Sequence, residues 1–354
     1  MRLRFRLRYA ALGLILLPCL LAAGVLWMAG GLQAAQSFEA PTAQLGDLAP
    51  EASSSPQTLR LLIWNIAWGY GEGSTGAGSK RAQSHFEQTM AAMGAVVRDA
   101  GADIVLLQEV DFDATRSYHQ DQAQAIALAA GLPYVARGVS WRANWVPFPY
   151  WPPADHFGRM SSGGAILSRF ALSEHRMELF PKPERNPLHY NLFYLFRYAQ
   201  QVTAATPFGE VQLVNLHLEA YDGVNRVRQA KMLADRLRGE LPALTVLAGD
   251  LNAIPPEAPV QAGFVDAPDT SFLGDETLQM LRSIGGLRDV VAARDYRINP
   301  SAYYTFPASD PSRTLDHALV GAGFEVREAR VYQKAGQLSD HLPLLVTLAP
   351  AGSR

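Results

Sequence analysis

Asp250 and Asn252 directly follow the apolar run 244–248, in the stretch AGDLNAIP. A buried polar group costs free energy unless a partner pairs with it, so polar residues at the end of a buried strand suggest a ligand or a partner. Either residue alone is also common in turns, because its side chain forms local hydrogen bonds with the backbone. A functional interpretation therefore depends on whether other strands end in the same way.

Other predicted strands also have acidic, amide or imidazole side chains at or beside their ends. In chain order these are Asn65, Glu109, His217, Asp340 and His341. Loops at strand ends on a rigid sheet are where catalytic and binding residues are usually placed. The clusters together therefore indicate one functional site.

Part of this set could bind a divalent cation. Glu109, Asp340 and Asn65 offer hard oxygen ligands. Mg²⁺ prefers such ligands and is usually held by one or two carboxylates, with water or substrate phosphate in its other positions. The sequence therefore predicts a Mg²⁺ site, with Mn²⁺ or Ca²⁺ as alternatives. Zinc fits less well, because the chain has no His-Glu-x-x-His motif and its single cysteine, Cys19, lies in an N-terminal apolar run.

The rest of the set could perform chemistry at phosphorus. His217 and His341 provide imidazoles that can move protons or stabilise an oxyanion near neutral pH. Asp250 could hold and deprotonate an attacking water, and Asn252 could donate a hydrogen bond to the charge that grows on phosphorus. Hydrolysis of a phosphate ester depends mainly on positioning and charge stabilisation, and these residue types supply both.

Seven short motifs, spread over nearly the whole body of the chain, resemble those of the endonuclease/exonuclease/phosphatase superfamily and follow its order. They are LLIWNIAWG, DIVLLQEVD, GGAILSR, VNLHLEAYD, VLAGDLNAIP, RTLDHALV and SDHLPLLV. The superfamily includes deoxyribonucleases, neutral sphingomyelinases and inositol-polyphosphate phosphatases. The resemblance implies an α/β fold with four layers, in which two mixed β-sheets form a sandwich flanked by helices.

The resemblance also implies roles for individual residues. On the metal side, Glu109 is similar to the family's principal metal-binding glutamate, Asp340 to an aspartate beside the metal, and Asn65 to an asparagine near metal and phosphate. On the catalytic side, the implied residues are the water-orienting pair Asp250 and Asn252, the histidine His341 with its hydrogen-bonded partner Asp316, and a second histidine, His217. The implied reaction is a single in-line attack of water, without a covalent enzyme intermediate.

The hydrophobic pattern predicts a mixture of strands and helices, which agrees with an α/β domain. Strands are predicted over 59–66, 103–108, 164–168, 191–202, 211–218, 244–248, 316–320 and 342–348, and helices over 79–100, 115–130 and 225–239. Alternation of strand and helix is regular only in the first half, which argues against a simple doubly wound sheet.

The N-terminus predicts export. Four arginines precede residues 9–32, which carry no charge. About 20 apolar residues can span a bilayer as a helix, and preceding arginines keep the N-terminus cytoplasmic. We therefore expect residues 1–35 to be a membrane anchor, with a cleaved signal segment of a secreted or periplasmic protein, or a buried helix, as the alternatives. Residues 36–58 are predicted as a flexible linker, and residues 59–350 as a catalytic domain outside the cytoplasm.

Composition narrows the substrate. The formal net charge is −2, with 31 basic and 33 acidic residues, so the chain lacks the strongly basic balance typical of nuclease surfaces. We expect a monomeric phosphodiesterase acting on a lipid head group or a small phosphodiester, with the membrane as a further partner. Three alternatives are an extracytoplasmic Mg²⁺-dependent nuclease acting on nucleic acid, a phosphomonoesterase, and a non-catalytic, membrane-tethered interaction module.

The composition of three further segments also indicates their structure. The aromatic and proline-rich segment 141–157 is either a stiff loop packed on the body or a rim that selects substrate or touches a membrane. The glycine-rich segment 69–80 fails the Walker pattern and is predicted to be a strand-to-helix loop. Residues 189–198 are predicted to form a core strand.

Overall fold

The computed structural model describes residues 2–46, 57–71, 80–239 and 241–352, with side chains described from Leu16 onward. Most of the glycine-rich segment, and residues 47–56 of the predicted linker, lie outside the described residues. The described part of the body contains two seven-stranded sheets and a small hairpin.

The first sheet combines strands from the whole length of the chain. Its spatial order is β1 (Ser37–Glu39), β7 (Leu172–Leu179), β8 (Tyr198–Thr206), β9 (Gly209–His217), β10 (Thr245–Asp250), β14 (Asp316–Gly321) and β13 (Leu287–Asp289). Strands β9 and β10 are parallel, and the other pairs are antiparallel. The sheet is therefore mixed.

The second sheet is mixed in the same way. Its order is β15 (Phe324–Val331), β16 (Leu344–Pro350), β3 (Leu59–Asn65), β4 (Ile104–Asp111), β6 (Gly158–Ser168), β5 (Tyr134–Val146) and β2 (Thr42–Gln44). Only β3 and β4 pair in parallel. The hairpin is formed by β11 (Ala262–Phe264) and β12 (Ala267–Ser271).

The described helices are short except for the first, second and fifth. They are α1 (Arg2–Ala29), α2 (Gln83–Asp99), α3 (Gln122–Ala130), α4 (Leu188–Phe193), α5 (Gly223–Arg236), α6 (Thr277–Arg282) and α7 (Ala293–Ile298). Asp121 and Asp222 cap α3 and α5 by accepting hydrogen bonds from backbone N–H groups in the first turn. Gly131 follows the last residue of α3, and its φ of 79° lies in the left-handed region that favours glycine.

Three apolar cores create four layers. One lies between the sheets and includes Leu61, Leu106 and Val246. A second joins the outer face of the second sheet to α2 and α3, and a third joins the first sheet to α5 and α6. Two large mixed sheets flanked by helices confirm the predicted sandwich.

Polar side chains also connect the two sheets. Gln108 Nε2 donates to Asn215 Oδ1 at 2.6 Å, and Asn215 Nδ2 donates to Gln200 Oε1 at 3.0 Å. All three residues are fully buried, where a hydrogen bond lost without replacement is costly. This network fixes the position of one sheet relative to the other directly beneath the strand ends that carry the predicted site.

Some sequence predictions were wrong in position or type. Only the last part of the predicted strand over 191–202 is a strand, because α4 occupies Leu188–Phe193 and β8 begins at Tyr198. The predicted helix over 115–130 begins at Gln122, after a 3₁₀ turn at Thr115–Ser117. The segment predicted as a flexible linker contributes β1 and β2, which pair with β7 and β5 at the edges of the two sheets.

Helix α1 contacts the body near β5. Asn144 Nδ2 donates to the backbone oxygen of Trp27, and Gln33 Nε2 donates to that of Arg142, both at 2.7 Å. Within the described part of the chain, no helix is long and apolar enough to cross a membrane.

Candidate active site

Strand register places three predicted site residues side by side. Asp250, the last residue of β10, lies opposite His217 of β9 and opposite Asp316 of β14. Directly paired residues project from the same face of a sheet. That face meets the second sheet, because Asn65 Nδ2, at the end of β3, donates to Asp250 Oδ2 at 2.9 Å.

Glu109 reaches this group through an irregularity in β4. The pairing of β4 with β6 shifts between Leu107 and Val110, and Glu109 has a φ of 55°. A β-bulge of this kind re-aims a side chain, and a non-glycine residue with positive φ stores strain of order ~1–3 kcal/mol. Glu109 Oε1 lies 3.7 Å from His217 Nε2 as a result.

The electrostatics around Glu109 favour a bound cation. Burial, followed by the negative charge of Asp340, raises the pKa of Glu109 to about 7. Burial likewise raises the pKa of Asp340. Two half-buried carboxylates that disfavour each other's ionisation are stabilised by a divalent ion, and carboxylate oxygens are the ligands that Mg²⁺ prefers. The residues present therefore fit the divalent cation predicted from the sequence.

Asp250 is held by donors on both oxygens. Its Oδ1 accepts from the Asn252 backbone N–H at 2.9 Å, and its Oδ2 accepts from Asn65. The same Oδ2 lies 3.5 Å from His217 Nε2 and 3.8 Å from His341 Nε2. Burial raises the pKa of Asp250 despite the opposing charge of His341. The carboxylate is thus fixed in position and is a stronger base than an exposed aspartate.

His341 is paired with Asp316. The distance from His341 Nδ1 to Asp316 Oδ2 is 2.8 Å, and both side chains are buried. Burial alone would lower the pKa of His341, but the charges of Asp316 and Asp250 outweigh it and raise the pKa to about 10. His341 is therefore an imidazolium at neutral pH, with its Nε2 pointing toward Asp250.

Asp316→Asn tests this pairing. A histidine pKa raised on folding adds stability that is complete below about pH 6.5 and is lost as pH rises toward about 10. The variant removes that contribution, so we expect it to unfold more easily by about 3 kcal/mol near neutral pH, with the difference shrinking toward pH 10. Urea unfolding between pH 6 and 10 measures this. A difference that does not change with pH would contradict the pairing, and Asp235→Asn, which removes an exposed ion pair with Lys231, is the control.

His217 is not an acid in this arrangement. Its Nε2 faces Arg197 Nη1, and since a guanidinium can only donate, Nε2 must accept. Burial, and then the charge of Arg197, lowers the pKa of His217 well below its ordinary value. The sequence suggested that both histidines could move protons, whereas the structure separates a neutral His217 from a cationic His341.

Arg197 was missed by the sequence analysis. It is buried next to His217, and although burial would lower its pKa, the nearby negative charge of Glu219 raises it. Its Nε is buried and has no hydrogen-bond partner among the described residues. The residue lay inside the segment predicted to be a core strand, and the only signal was a charged side chain at the end of an otherwise uncharged aromatic run.

The structure brings all the predicted residues into one neighbourhood, although some side chains have other contacts. Asn65 Oδ1 accepts from the Ala67 backbone N–H at 3.0 Å, so this asparagine positions Asp250. Asn252 Nδ2 donates to the Leu218 backbone oxygen at 3.0 Å. The metal role of Asn65 and the phosphate role of Asn252 therefore stay predictions.

A second group has metal-ligand character by distance alone. Ligand-type atoms of Asp250, Asp316 and His341 lie within 4.8 Å of one another. The Asp316–His341 hydrogen bond already engages two of these groups, so the distances alone do not identify them as metal ligands.

Comparison with known proteins agrees with this geometry. The family model described as "Endonuclease/Exonuclease/phosphatase family" matches residues 62–341. No curated protein matches the chain.

Solved structures show the same fold. An endonuclease/exonuclease/phosphatase from Beutenbergia cavernae is 23% identical, with a TM-score of 0.58 over 84% of this chain and 72% of its own. A mannosyl-6-phosphatase from Bacteroides thetaiotaomicron is 17% identical, with a TM-score of 0.54 over 82% of this chain and 99% of its own. An endonuclease/exonuclease/phosphatase family protein from B. thetaiotaomicron is 18% identical, with a TM-score of 0.53 over 83% of this chain and 98% of its own.

Proposed function

Since the chain belongs to the endonuclease/exonuclease/phosphatase family, whose members hydrolyse phosphate esters, we propose that it is a metal-dependent phosphodiesterase that cleaves a lipid-like or small phosphodiester. The observation that supports this most strongly is the setting of Asp250. Its carboxylate is buried, held on both oxygens, and flanked by His217 and His341.

Asp250 acts as the general base. Its raised pKa makes it better able to take a proton from water, and its hydrogen bonds to Asn65 and Asn252 fix the direction of the lone pair that accepts the proton. The water attacks phosphorus in line with the leaving oxygen, in one step and without a covalent intermediate. The proposed reaction therefore needs no nucleophilic side chain.

Two cationic side chains stabilise the charge that builds up on the phosphoryl oxygens. His341 is kept protonated by Asp316, and Arg197 is a guanidinium that stays charged and lies 3.8 Å from Glu219. Both are buried, so their electrostatic effect on a bound phosphate is stronger than it would be in water. The neutral His217 contacts the Arg197 guanidinium through its Nε2, which also lies 3.5 Å from Asp250 Oδ2.

Glu109 and Asp340 would hold the divalent cation. When bound there, such an ion supplies Lewis-acid polarisation of a phosphoryl oxygen. Burial disfavours the charged form of both carboxylates. The metal-free site is therefore less stable than it would be with neutral side chains, and a bound cation would offset this cost. The bulged backbone of Glu109 serves to present its carboxylate beside Asp250 and His217.

The slightly acidic chain supports a small or lipid-like diester over a long nucleic acid, which binds mainly through basic contacts to its backbone. A location outside the cytoplasm, with attachment to a membrane, stays a prediction from residues 1–35. Nuclease activity and phosphomonoesterase activity are the competing outcomes of the test below.

A substrate panel tests the activity and its class. We expect the purified protein to hydrolyse bis-p-nitrophenyl phosphate in the presence of Mg²⁺, faster than it hydrolyses p-nitrophenyl phosphate, and to lose this activity with EDTA. Sphingomyelin vesicles and plasmid DNA are tested in parallel. Faster turnover of DNA would identify a nuclease, faster turnover of the monoester would identify a phosphatase, and no turnover of any substrate would contradict catalysis.

A further inference from the structure

An aromatic cavity opens directly onto the catalytic group. Its volume is about 360 Å³, and Glu109 and Arg197 form part of its lining. Nine aromatic side chains supply most of the rest of the lining, among them Trp68, Trp141, Tyr150, Tyr190, Tyr194 and Tyr221. Small-molecule sites are typically apolar cavities of ~300–1,000 Å³ with a few placed polar groups, and this cavity has both features.

One wall is built around a buried arginine. The Arg116 guanidinium lies 4.3 Å from the ring centre of Trp68, 5.2 Å from that of Trp141 and 4.8 Å from that of Phe157. Asp111 holds the guanidinium through two hydrogen bonds of 2.9 and 3.0 Å. Cation–π contacts of this kind fix ring positions, so this wall is already in place before any ligand enters.

A second wall comes from α4 and the residues after it. Tyr190 and Tyr194 stack with ring centres 5.3 Å apart, and Tyr194 donates to Glu219 at 2.7 Å. Trp141 Nε1 donates to the backbone oxygen of Phe193 at 2.9 Å, which joins the two walls. The space between them is therefore a fixed feature of the fold.

Aromatic residues at the mouth stay exposed. Tyr221 is 79% exposed and Tyr150 is 67% exposed, while Phe148 is 38% exposed. A core would bury these rings, whereas a group of exposed apolar side chains around a cavity is typical of a binding site. Ring burial by a ligand would remove this apolar surface from water.

We propose that this cavity binds an apolar group esterified to the substrate phosphate, and so selects hydrophobic phosphodiesters. The inference rests on the proposed phosphodiesterase activity. A phosphate beside Glu109 and Arg197 would place one of its ester groups between the aromatic walls. The apolar group could be an aryl ring or a hydrocarbon chain, and both share the chemistry that the cavity recognises.

Three diesters with a common leaving group separate binding from chemical reactivity: the p-nitrophenyl phosphodiesters that carry methyl, octyl or 1-naphthyl as the second ester. In each, water forms a new P–O bond, p-nitrophenolate leaves with the bonding electron pair, and the second ester is retained. We expect kcat/KM for the octyl or naphthyl diester to exceed that for the methyl diester by about tenfold or more. A larger ratio for the octyl diester indicates that the cavity binds a hydrocarbon chain, and a larger ratio for the naphthyl diester indicates that it binds an aryl ring.

The double variant Tyr150→Ala/Tyr190→Ala tests the cavity itself, because it removes two aromatic rings that come from separate segments of the lining. We expect the advantage of the apolar diesters over the methyl diester in kcat/KM to fall to about twofold or less. Tyr118→Ala is the matched control, since Tyr118 is 45% exposed, Tyr190 is 42% exposed, and Tyr118 lies outside the lining. Thermal unfolding checks that each variant is folded.

Binding is measured separately from turnover by calorimetry with 1-naphthyl methylphosphonate. Weaker binding to the double variant than to wild type supports the cavity site, even if no diester in the series is hydrolysed and the proposed activity fails. Equal binding to the two proteins, or an unchanged preference for apolar diesters in the double variant, overturns the inference whether or not the protein is a phosphodiesterase.

Discussion

Asp250→Asn should lower kcat by about a thousandfold or more while leaving the protein folded. The asparagine has nearly the same shape and can still accept a hydrogen bond from the Asn252 backbone N–H. It cannot take a proton from water, so the general-base step is lost. The substitution also removes one of the carboxylates that raise the pKa of His341, so thermal unfolding is measured to check that the variant is folded.

Kinetics on bis-p-nitrophenyl phosphate at saturating Mg²⁺ measure the effect. Asp269→Asn, an exposed position in β12, is the matched control and should retain wild-type kcat. If Asp250→Asn kept more than about a tenth of wild-type kcat, Asp250 could not be the general base.

Glu109→Gln should produce the second large effect, on activity and on stability together. Loss of the carboxylate removes a ligand for the divalent ion, so we expect kcat at ordinary Mg²⁺ concentrations to fall by about a hundredfold or more. Mg²⁺ should no longer raise Tm, because an ion stabilises a protein only when it binds the folded state more tightly than the unfolded one.

The metal-free variant should be more stable than metal-free wild type above neutral pH. Folding raises the pKa of Glu109 from 4.5 to about 7, so the folded protein holds this proton more tightly than the unfolded chain. Stability from this residue is therefore highest below about pH 4.5 and is lost as pH rises through 7, by about 3 kcal/mol in total. Glutamine cannot ionise and avoids this loss.

Urea unfolding in EDTA at pH 5 and pH 8 checks the sign. The difference between Glu109→Gln and wild type should grow from pH 5 to pH 8, and Glu210→Gln, at an exposed position, should show no such difference. A Glu109→Gln protein that is less stable than wild type at pH 8 would show that Glu109 makes stabilising contacts in the absence of metal.

Much of the site could be predicted because strand ends are readable in sequence. A buried strand appears as a short apolar run, and a polar residue at its end, such as Asp250, stands out. Several such strands in a family order were sufficient to predict the four-layer fold. The pairing of Asp250 with His217 and Asp316 then follows from strand register, which the sequence does not state.

The features that were missed depend on contacts between distant segments. The bulge at Glu109 involves β6, and the neutral state of His217 results from Arg197, which follows a short helix that has strand-like composition. The strands β1 and β2 are only three residues long and have no apolar alternation, so their pairing with β7 and β5 leaves no local pattern. The aromatic cavity likewise joins residues from several separate parts of the chain.

Anomalous diffraction from crystals soaked in Mn²⁺ tests most directly whether one divalent ion and one phosphate meet at these strand ends. We predict a single strong peak about 2–2.5 Å from carboxylate oxygens of Glu109 and Asp340, and its absence in Glu109→Gln crystals. Peaks only at other carboxylates, from protein that hydrolyses diesters in the same Mn²⁺ buffer, would contradict the proposed site.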